Sequence, residues 1–270
     1  YNNISIVLRG VVFTKPSYAL QGIITKLLNS NNQTRPRELS SAAISLLRCE
    51  PAIKEILNKH SINEVKRSLE GLVVNLSEIP LLLRLMSVCP LGDLELEDVF
   101  NDLRSALLLS VSETSHSPKI LPFQSALALQ CFTNEYVYNQ TDEETEALVA
   151  LEAVLEQVFL KGGQPSPQSV LCLASYKALY EYKWCDLLTE KTGIEEVFAR
   201  QVLEPMQESD LKSDMPSLQE ITNKVSSKVR DMYEENPYPR WIHAGLSLDL
   251  APISEIIRET KLKLFDRAIN

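Results

Sequence analysis

The sequence predicts an all-α protein built from antiparallel helical hairpins. Hydrophobic residues make up 44% of the 270 positions, enough for a sizeable core, while only 8 glycines occur. Capping patterns and prolines repeatedly precede segments of roughly 10–20 residues whose apolar side chains recur at helical spacing. Short loops between such segments are typical of helical hairpins. Because no regular 34-residue repeat is visible, an irregular bundle is favoured over a degenerate helical-repeat stack, which stays open.

The first predicted subdomain covers residues 1–117. It begins with the apolar, β-branched run 4–13, which could be a strand or the remnant of a truncated helix. The next predicted elements are a helix over 17–28, helices starting at Pro36 and Pro51, a helix after a Ser61/Glu64 capping box, a buried helix over 80–88 and an amphipathic helix over 94–111.

The second predicted subdomain covers residues 118–209. A central helix is expected over 118–138, and a Thr141/Glu144 capping box predicts a helix over 143–160. The next helix, over 169–188, is rich in aromatic residues, and Tyr176, Tyr180 and Trp184 recur every fourth position. Such a stripe favours a core face over a ligand cage. A Thr192/Glu195 capping box predicts a helix over 195–203, which Pro205 interrupts or kinks.

The third predicted subdomain, 210–270, starts within an acidic stretch, 208–216, that is typical of a linker or an exposed corner. A Ser217/Glu220 capping box predicts a last long helix that ends near Asn236. Pro237 and Pro239 fix the backbone beyond that point, so the chain should be stiff and extended there. A final amphipathic helix is expected over 252–268.

The run 233–241, Tyr-Glu-Glu-Asn-Pro-Tyr-Pro-Arg-Trp, carries a resemblance to a known family. It resembles a run in bacterial proteins that join an α-helical, often tetratricopeptide-containing region to a class I S-adenosylmethionine-dependent methyltransferase domain. The runs 123–138 and 187–208 fit the same family, so the resemblance covers roughly residues 118–241.

The resemblance implies a cytoplasmic, bacterial parent protein that is a methyltransferase. In that family the Rossmann-like catalytic domain follows the motif after a short interval, whereas this sequence stops at Asn270. We therefore expect a non-catalytic helical module with no cofactor of its own, and S-adenosylmethionine bound by the parent. Its expected partners are its own missing methyltransferase domain and a protein or peptide, with no nucleic acid and no membrane.

Five residues of the proline–aromatic run are candidate contacts to the missing domain or its ligand: Tyr233, Asn236, Tyr238, Arg240 and Trp241. Stiff aromatic presentation loses little entropy on docking, which favours a hinge or lid. The alternative is a packing plug, in which Tyr238 and Trp241 fill a groove between helices.

A second candidate site lies at Asn134 and Glu135. By the resemblance, these residues form a polar pocket wall together with Cys131 and Tyr138. The alternative is a buried polar network that links the central helices.

Composition argues against several other functions. The net charge of −9 and the absence of a Lys/Arg cluster oppose nonspecific nucleic-acid binding. The three histidines are far apart and lack ligand-spaced partners, and the sequence has no glycine-rich nucleotide loop and no nucleophile elbow. No apolar run approaches the ~20 residues of a membrane span. The five scattered cysteines are typical of reduced thiols.

Two other functions stay open. One is a stand-alone helical-repeat scaffold that binds a protein or peptide, and the other is a small-molecule-binding helical domain with a central pocket near Asn134 and Glu135.

Overall fold

The computed structural model describes residues 2–30, 35–58, 68–111, 117–189, 191–214 and 223–235. Throughout these ranges the chain forms helices joined by short connections and contains no strand, so the all-α prediction is confirmed. The helices pack as a bundle around one hydrophobic cluster that extends from Leu8 to Val202. This cluster includes residues on both sides of the predicted boundary at 117/118, and the division into subdomains stays a prediction.

The first half of the chain follows the predicted order of helices. The run 4–13 is helical at its start and then turns at Gly10, whose φ is 73°, so the strand alternative is wrong. The predicted Ser61/Glu64 capping box lies outside the described residues. The helices are α1 (Asn2–Leu8), α2 (Tyr18–Asn29), α3 (Pro36–Leu47), α4 (Pro51–Leu57), α5 (Leu69–Ser77), α6 (Pro80–Val88) and α7 (Leu94–Ser110).

The second half contains helices of 4 to 19 residues and several short turns of other geometry. A 3-10 turn over 118–120 leads into the first of its helices, further 3-10 turns cover 179–181 and 185–187, and a π-helical turn covers 199–203. The helices are α8 (Leu121–Thr133), α9 (Asp142–Leu160), α10 (Pro167–Ala174), α11 (Glu195–Phe198), α12 (Glu204–Asp214) and α13 (Lys224–Glu235).

Helices α6 and α8 lie at the centre of the bundle and pack against each other. Helix α6 also contacts α2 and α3, while α8 contacts α5 and α10. Both helices are apolar on almost every side, which is typical of helices that are buried on all faces. The small residues Ala126 and Ala128 of α8 are both buried.

Two fully buried glutamines connect the central helices through their amide groups. Gln201, in the π-helical turn, donates to the carbonyl oxygens of Ala128 (3.2 Å) and Ala174 (3.1 Å) and accepts from the Leu179 N–H (3.1 Å). The side-chain amide of Gln130 in α8 is oriented so that both its nitrogen and its oxygen have partners. Its nitrogen donates to the carbonyl oxygens of Met86 and Cys89 at the end of α6. Buried amides paired in this way stabilise one particular arrangement of the helices.

Two predicted helices are shorter than their sequence patterns indicate. The helix expected over 118–138 ends at Thr133, and the one expected over 169–188 ends at Ala174. As a result, Tyr176, Tyr180 and Trp184 do not form one helical stripe. Trp184 instead stacks on the ring of Phe159 (5.4 Å between centroids) and on that of Tyr182 (4.8 Å). The contact with Phe159 joins Trp184 to a different helix, which explains why local periodicity did not reveal it.

The region around Pro205 differs from its prediction in two respects. Ile194, rather than Thr192, is the N-cap of α11, and the Glu195 carboxylate accepts from the Gly193 N–H at 3.0 Å, so the predicted capping box is wrong. The helix then continues through the π-helical turn and past Pro205 to residue 214, so the part of 208–216 that is described is helical. A widened turn before proline relieves the clash and the lost hydrogen bond that proline imposes.

The last described helix, α13, begins after Asn223, whose side-chain oxygen accepts from the N–H groups of Val225 (2.8 Å) and Ser226 (3.3 Å). Asn223 therefore caps the helix. The predicted Ser217/Glu220 capping box and the predicted helix over 252–268 lie outside the described residues.

In the described ranges, no single helix is both long enough and apolar enough to cross a membrane. Helices α5 and α6 pass that test only as a pair, and the pair is bent by 86°.

Candidate functional site

The predicted site residues fall into two groups, one that the structure describes and one that lies mostly outside the described residues. Tyr233 lies in the last turn of α13, and its backbone alone is described. Asn236, Tyr238, Arg240 and Trp241 lie outside the described residues. Asn134 and Glu135 are described, and they directly follow the end of α8. The proposed contact of the proline–aromatic run with another domain therefore stays a prediction.

The chain reverses sharply after α8 through two residues with left-handed backbone. The φ angles of Glu135 and Tyr136 are 58° and 54°, a region that non-glycine residues rarely adopt. The turn is held by the Tyr136 N–H, which donates to the Cys131 carbonyl at 2.8 Å, and by the Asn134 N–H, which donates to the Gln130 carbonyl at 3.0 Å. The Asn134 side-chain oxygen is buried there, and none of the described residues forms a hydrogen bond with it. Strained backbone with an unsatisfied polar atom is a feature found at functional sites.

Beside this turn lies a cluster of buried polar side chains that the sequence did not identify. We call it the arginine cluster, and its members are Arg104, Tyr138, Glu144 and Tyr176. Arg104 of α7 and Glu144 of α9 are each only 2% exposed. Their closest side-chain atoms, Nη2 and Oε1, are 3.8 Å apart, which makes a buried ion pair.

Arg104 is held from several directions at once. Its Nη2 donates to the Asn101 side-chain oxygen at 2.9 Å and to the Asn139 carbonyl at 2.6 Å. Its guanidinium carbon lies 4.1 Å from the centre of the Tyr176 ring and 5.5 Å from that of Tyr138. Cation–π contacts of this kind are strongest where the cation has lost its water.

Glu144 has two structural roles. Its Oε2 accepts from the Thr141 N–H at 2.8 Å, while its own N–H donates to the Thr141 hydroxyl at 3.2 Å, which confirms the predicted capping box. Its Oε1 accepts from the Tyr176 hydroxyl and faces Arg104. The same carboxylate therefore starts α9 and neutralises a charge on α7.

Burial raises the pKa values of three neutral groups in and around the cluster. Burial raises the pKa of the Cys131 thiol to about 12, and it raises the pKa of Cys172 to about 12 as well. Burial also raises the pKa of the Tyr176 hydroxyl, against the opposing effect of Arg104, and its hydrogen bond to Glu144 raises it further. A thiol with so high a pKa is a poor nucleophile at neutral pH, so these two cysteines are typical of core residues.

A small cavity borders the cluster. Arg104, Gln124, Cys172 and Ser175 contribute its polar lining. The centre of a water-sized sphere can move within a volume of about 10 Å³ in this cavity. A single buried water needs ~10–15 Å³ by the same measure. This cavity is too small for an organic ligand, so it does not favour the small-molecule function proposed near Asn134 and Glu135.

A larger opening lies elsewhere, between the α3–α4 region and α7. This groove has a volume of about 680 Å³ and is lined by Arg48 and Lys54 on one side and by Glu95, Asp98 and Asp102 of α7 on the other. Burial and the charge of Asp98 raise the pKa of the Asp102 carboxyl. Within the described ranges, no group of three or more His, Cys, Asp or Glu side chains is placed to hold a metal ion.

Helix α13 carries an apolar stripe that is open to solvent. Val225, Val229 and Met232 are spaced four and three residues apart, so they share one helix face. Their exposed fractions are 70%, 45% and 53%. The rest of the helix is rich in charged and small polar residues, a pattern typical of helices that dock onto another surface.

Sequence reasoning missed the arginine cluster, although one signal was present. Arg104 lies on the apolar face of α7, four residues after Phe100 and three before Leu107, both of which are buried. A charged residue at a core position requires a buried partner, and that requirement could have directed attention to Arg104.

Comparison with known proteins gives no match: no family model fits the chain, and no curated protein or solved structure is significantly similar to it.

Proposed function

We propose that this chain is the non-catalytic helical module of an S-adenosylmethionine-dependent methyltransferase, and that it packs on the catalytic domain of its parent protein. Two observations support the proposal. The run 233–241 resembles the segment that precedes such domains, and the helix leading into this run exposes the stripe Val225, Val229 and Met232. The exposed stripe carries the proposal. An amphipathic helix is stabilised mainly by packing its apolar face against another surface, so the uncovered stripe calls for a partner surface such as the catalytic domain.

In this proposal the two domains have different roles. The helical module recognises a substrate or partner, while the catalytic domain binds S-adenosylmethionine and transfers the methyl group. Tyr233, Asn236, Tyr238, Arg240 and Trp241 would add stiff, mostly aromatic contacts to the same docking surface. Asn134 and Glu135, in their left-handed turn, are retained as a second candidate contact site.

The first experiment is calorimetric titration of S-adenosylmethionine into this 270-residue chain and, in parallel, into the full encoded protein. Binding by the longer protein alone is the expected result. Binding by the chain itself would contradict the proposal, since it would require a cofactor site within the module. Binding by neither would favour the scaffold function described below.

The second experiment tests the docking surface. Val229→Asp and Met232→Asp place charges on the exposed stripe, and Ser227→Asp places the same charge on the opposite face of the same helix. We expect the first two variants to weaken the association of the separately produced module and catalytic domain at least tenfold. The Ser227 variant should associate normally. Equal association by all three variants would show that the stripe is not the docking surface.

A second candidate function is a stand-alone scaffold that binds a protein or peptide. The observation that favours it is the open groove between Arg48 and Lys54 on one wall and the carboxylates of α7 on the other, because mixed charges can orient an extended partner. If this function is the right one, Asp98→Lys and Asp102→Lys should weaken partner binding, whereas Val229→Asp should not affect it.

A further inference from the structure

Two of the residues that line the small cavity beside the arginine cluster each carry a buried polar atom without a partner among the described residues. It lies between α7, α8 and α10, and its apolar walls come from Leu107, Leu127 and Leu171. Arg104 Nε, a donor, and Gln124 Oε1, an acceptor, are both fully buried and have no hydrogen-bond partner among the described residues. Arg104 and Gln124 are only 2% and 3% exposed, respectively.

A shared ligand would account for a donor and an acceptor that have no described partner and belong to residues of the same cavity lining. Buried polar atoms in folded proteins are paired in the great majority of cases, with protein groups or with ordered water. Gln124 directs its amide nitrogen toward Cys172 Sγ, at 3.9 Å, which is a weak contact, and its oxygen has no partner in the described part of the chain. Ser175, which also lines the cavity, donates its hydroxyl proton to the Leu171 carbonyl at 2.8 Å, and its oxygen can still accept.

We propose that the cavity is a binding site for one water molecule. The water accepts a hydrogen bond from Arg104 Nε and donates its two protons to Gln124 Oε1 and Ser175 Oγ. Three hydrogen bonds are the usual number for a buried water, and the available space matches one water molecule. The water therefore connects α7, α8 and α10 at the place where Arg104 carries its charge into the core.

Water fits this site better than an anion does. A chloride ion is larger than a water molecule, and it could not donate to Gln124 Oε1. The positive charge of Arg104 is moreover already neutralised by Glu144, whose carboxylate lies 3.8 Å away. The inference is independent of the proposed methyltransferase role, since it rests only on the buried lining of the cavity.

A high-resolution crystal structure, with one crystal soaked in bromide, tests the proposal directly. We expect a single density peak within hydrogen-bond distance of both Arg104 Nε and Gln124 Oε1, with no anomalous signal from bromide. An empty cavity would overturn the proposal, and so would an anomalous peak at this position.

Water magnetic relaxation dispersion provides the solution test. The wild-type chain should show one more long-lived internal water than Gln124→Leu, which removes the acceptor. Gln157→Leu, at an exposed position of α9, is the matched control and should leave the number of long-lived waters unchanged. An equal number in wild type and Gln124→Leu would contradict the proposal, and the wild-type crystal decides the question if the variant fails to fold.

Discussion

Arg104 and Glu144 form an ion pair across the contact between α7 and α9, with 3.8 Å between Nη2 and Oε1 and with both side chains almost fully buried. Tyr176 contacts both members: its ring lies beneath the guanidinium, and its hydroxyl donates to the carboxylate. Desolvation of two charges is costly, so such a pair is retained only where each charge is well satisfied. The surrounding hydrogen bonds from Thr141 and to Asn101 and Asn139 supply most of that satisfaction, and the proposed water would pair the remaining donor, Arg104 Nε.

Removal of either partner should be severely destabilising. Arg104→Met leaves the Glu144 carboxylate buried without its countercharge, and we expect a loss of about 3–5 kcal/mol in the free energy of unfolding. Urea denaturation of Arg104→Met, Glu144→Gln and the double variant would measure it. The double variant should lose clearly less than the sum of the two single losses, because it leaves no unpaired charge. Strict additivity would contradict the ion pair.

The capping box of α9 should contribute separately from the ion pair. Thr141→Ala removes the hydroxyl that accepts from the Glu144 N–H. We expect a loss of about 1 kcal/mol, within the usual range for N-cap residues. Gln157→Ala, on the exposed face of the same helix, is the control and should change stability little. A Thr141 variant as stable as this control would mean that the cap is not formed in solution.

Three glycine-to-alanine variants should change the stability of the protein in different directions and by different amounts. Gly22→Ala, in the exposed face of α2, meets no neighbour and should stabilise the protein by about 0.5–1 kcal/mol. Gly10→Ala adds backbone strain, because φ is 73°, without a contact. Gly193→Ala adds the same kind of strain, at φ 84°, and places its Cβ 2.9 Å from Leu121 Cδ1. Thermal denaturation should therefore rank the variants in this order, with Gly193→Ala least stable; any other order would contradict the described backbone.

The carboxylates of Asp93 and Asp102 should make opposite contributions to the pH dependence of stability. Burial acts to raise the pKa of Asp93, but hydrogen bonds from Arg48, at 2.6 and 2.7 Å, and from the Leu96 N–H outweigh it, so the pKa is lowered. Asp93 therefore stabilises the fold above its unfolded pKa of about 3.9, and this contribution is lost as the pH falls through the lower folded value. The pKa of Asp102 is raised by burial, so its contribution is present below the unfolded pKa and is lost as the pH rises through the folded value.

Urea denaturation at pH 7 and at about pH 4 would separate the two effects. We expect Asp93→Asn to lower stability at pH 7 and to weaken the acid dependence. Asp102→Asn should raise stability at pH 7 and have a smaller effect at the lower pH. Shifts of the same sign for both variants would contradict the assigned environments.

The sequence predicted the helices where local chemistry is strong. Pro80 at the first turn and an apolar run identified α6, and Thr141 with Glu144 identified the start of α9. It failed where long-range contacts decide the local structure. The predicted helix ends at Ala174, and beyond it Trp184 stacks on Phe159 of α9. The chain passes Pro205 as a helix because a π-helical turn precedes it. The four candidate residues from Asn236 to Trp241 stay predictions, since they lie outside the described residues.

The sequence by itself determined the helical class of this protein, because helix periodicity, caps and prolines act within a few residues of one another. It also determined the resemblance that motivates the proposed function. Only the tertiary structure decided that Glu144 neutralises Arg104, that Gln201 connects α8 and α10, and that the stripe of α13 is open to solvent. The first two relationships join residues that are distant along the chain, and burial makes them depend on the packing of the bundle. The exposure of the stripe depends on which surfaces the packed helices leave uncovered.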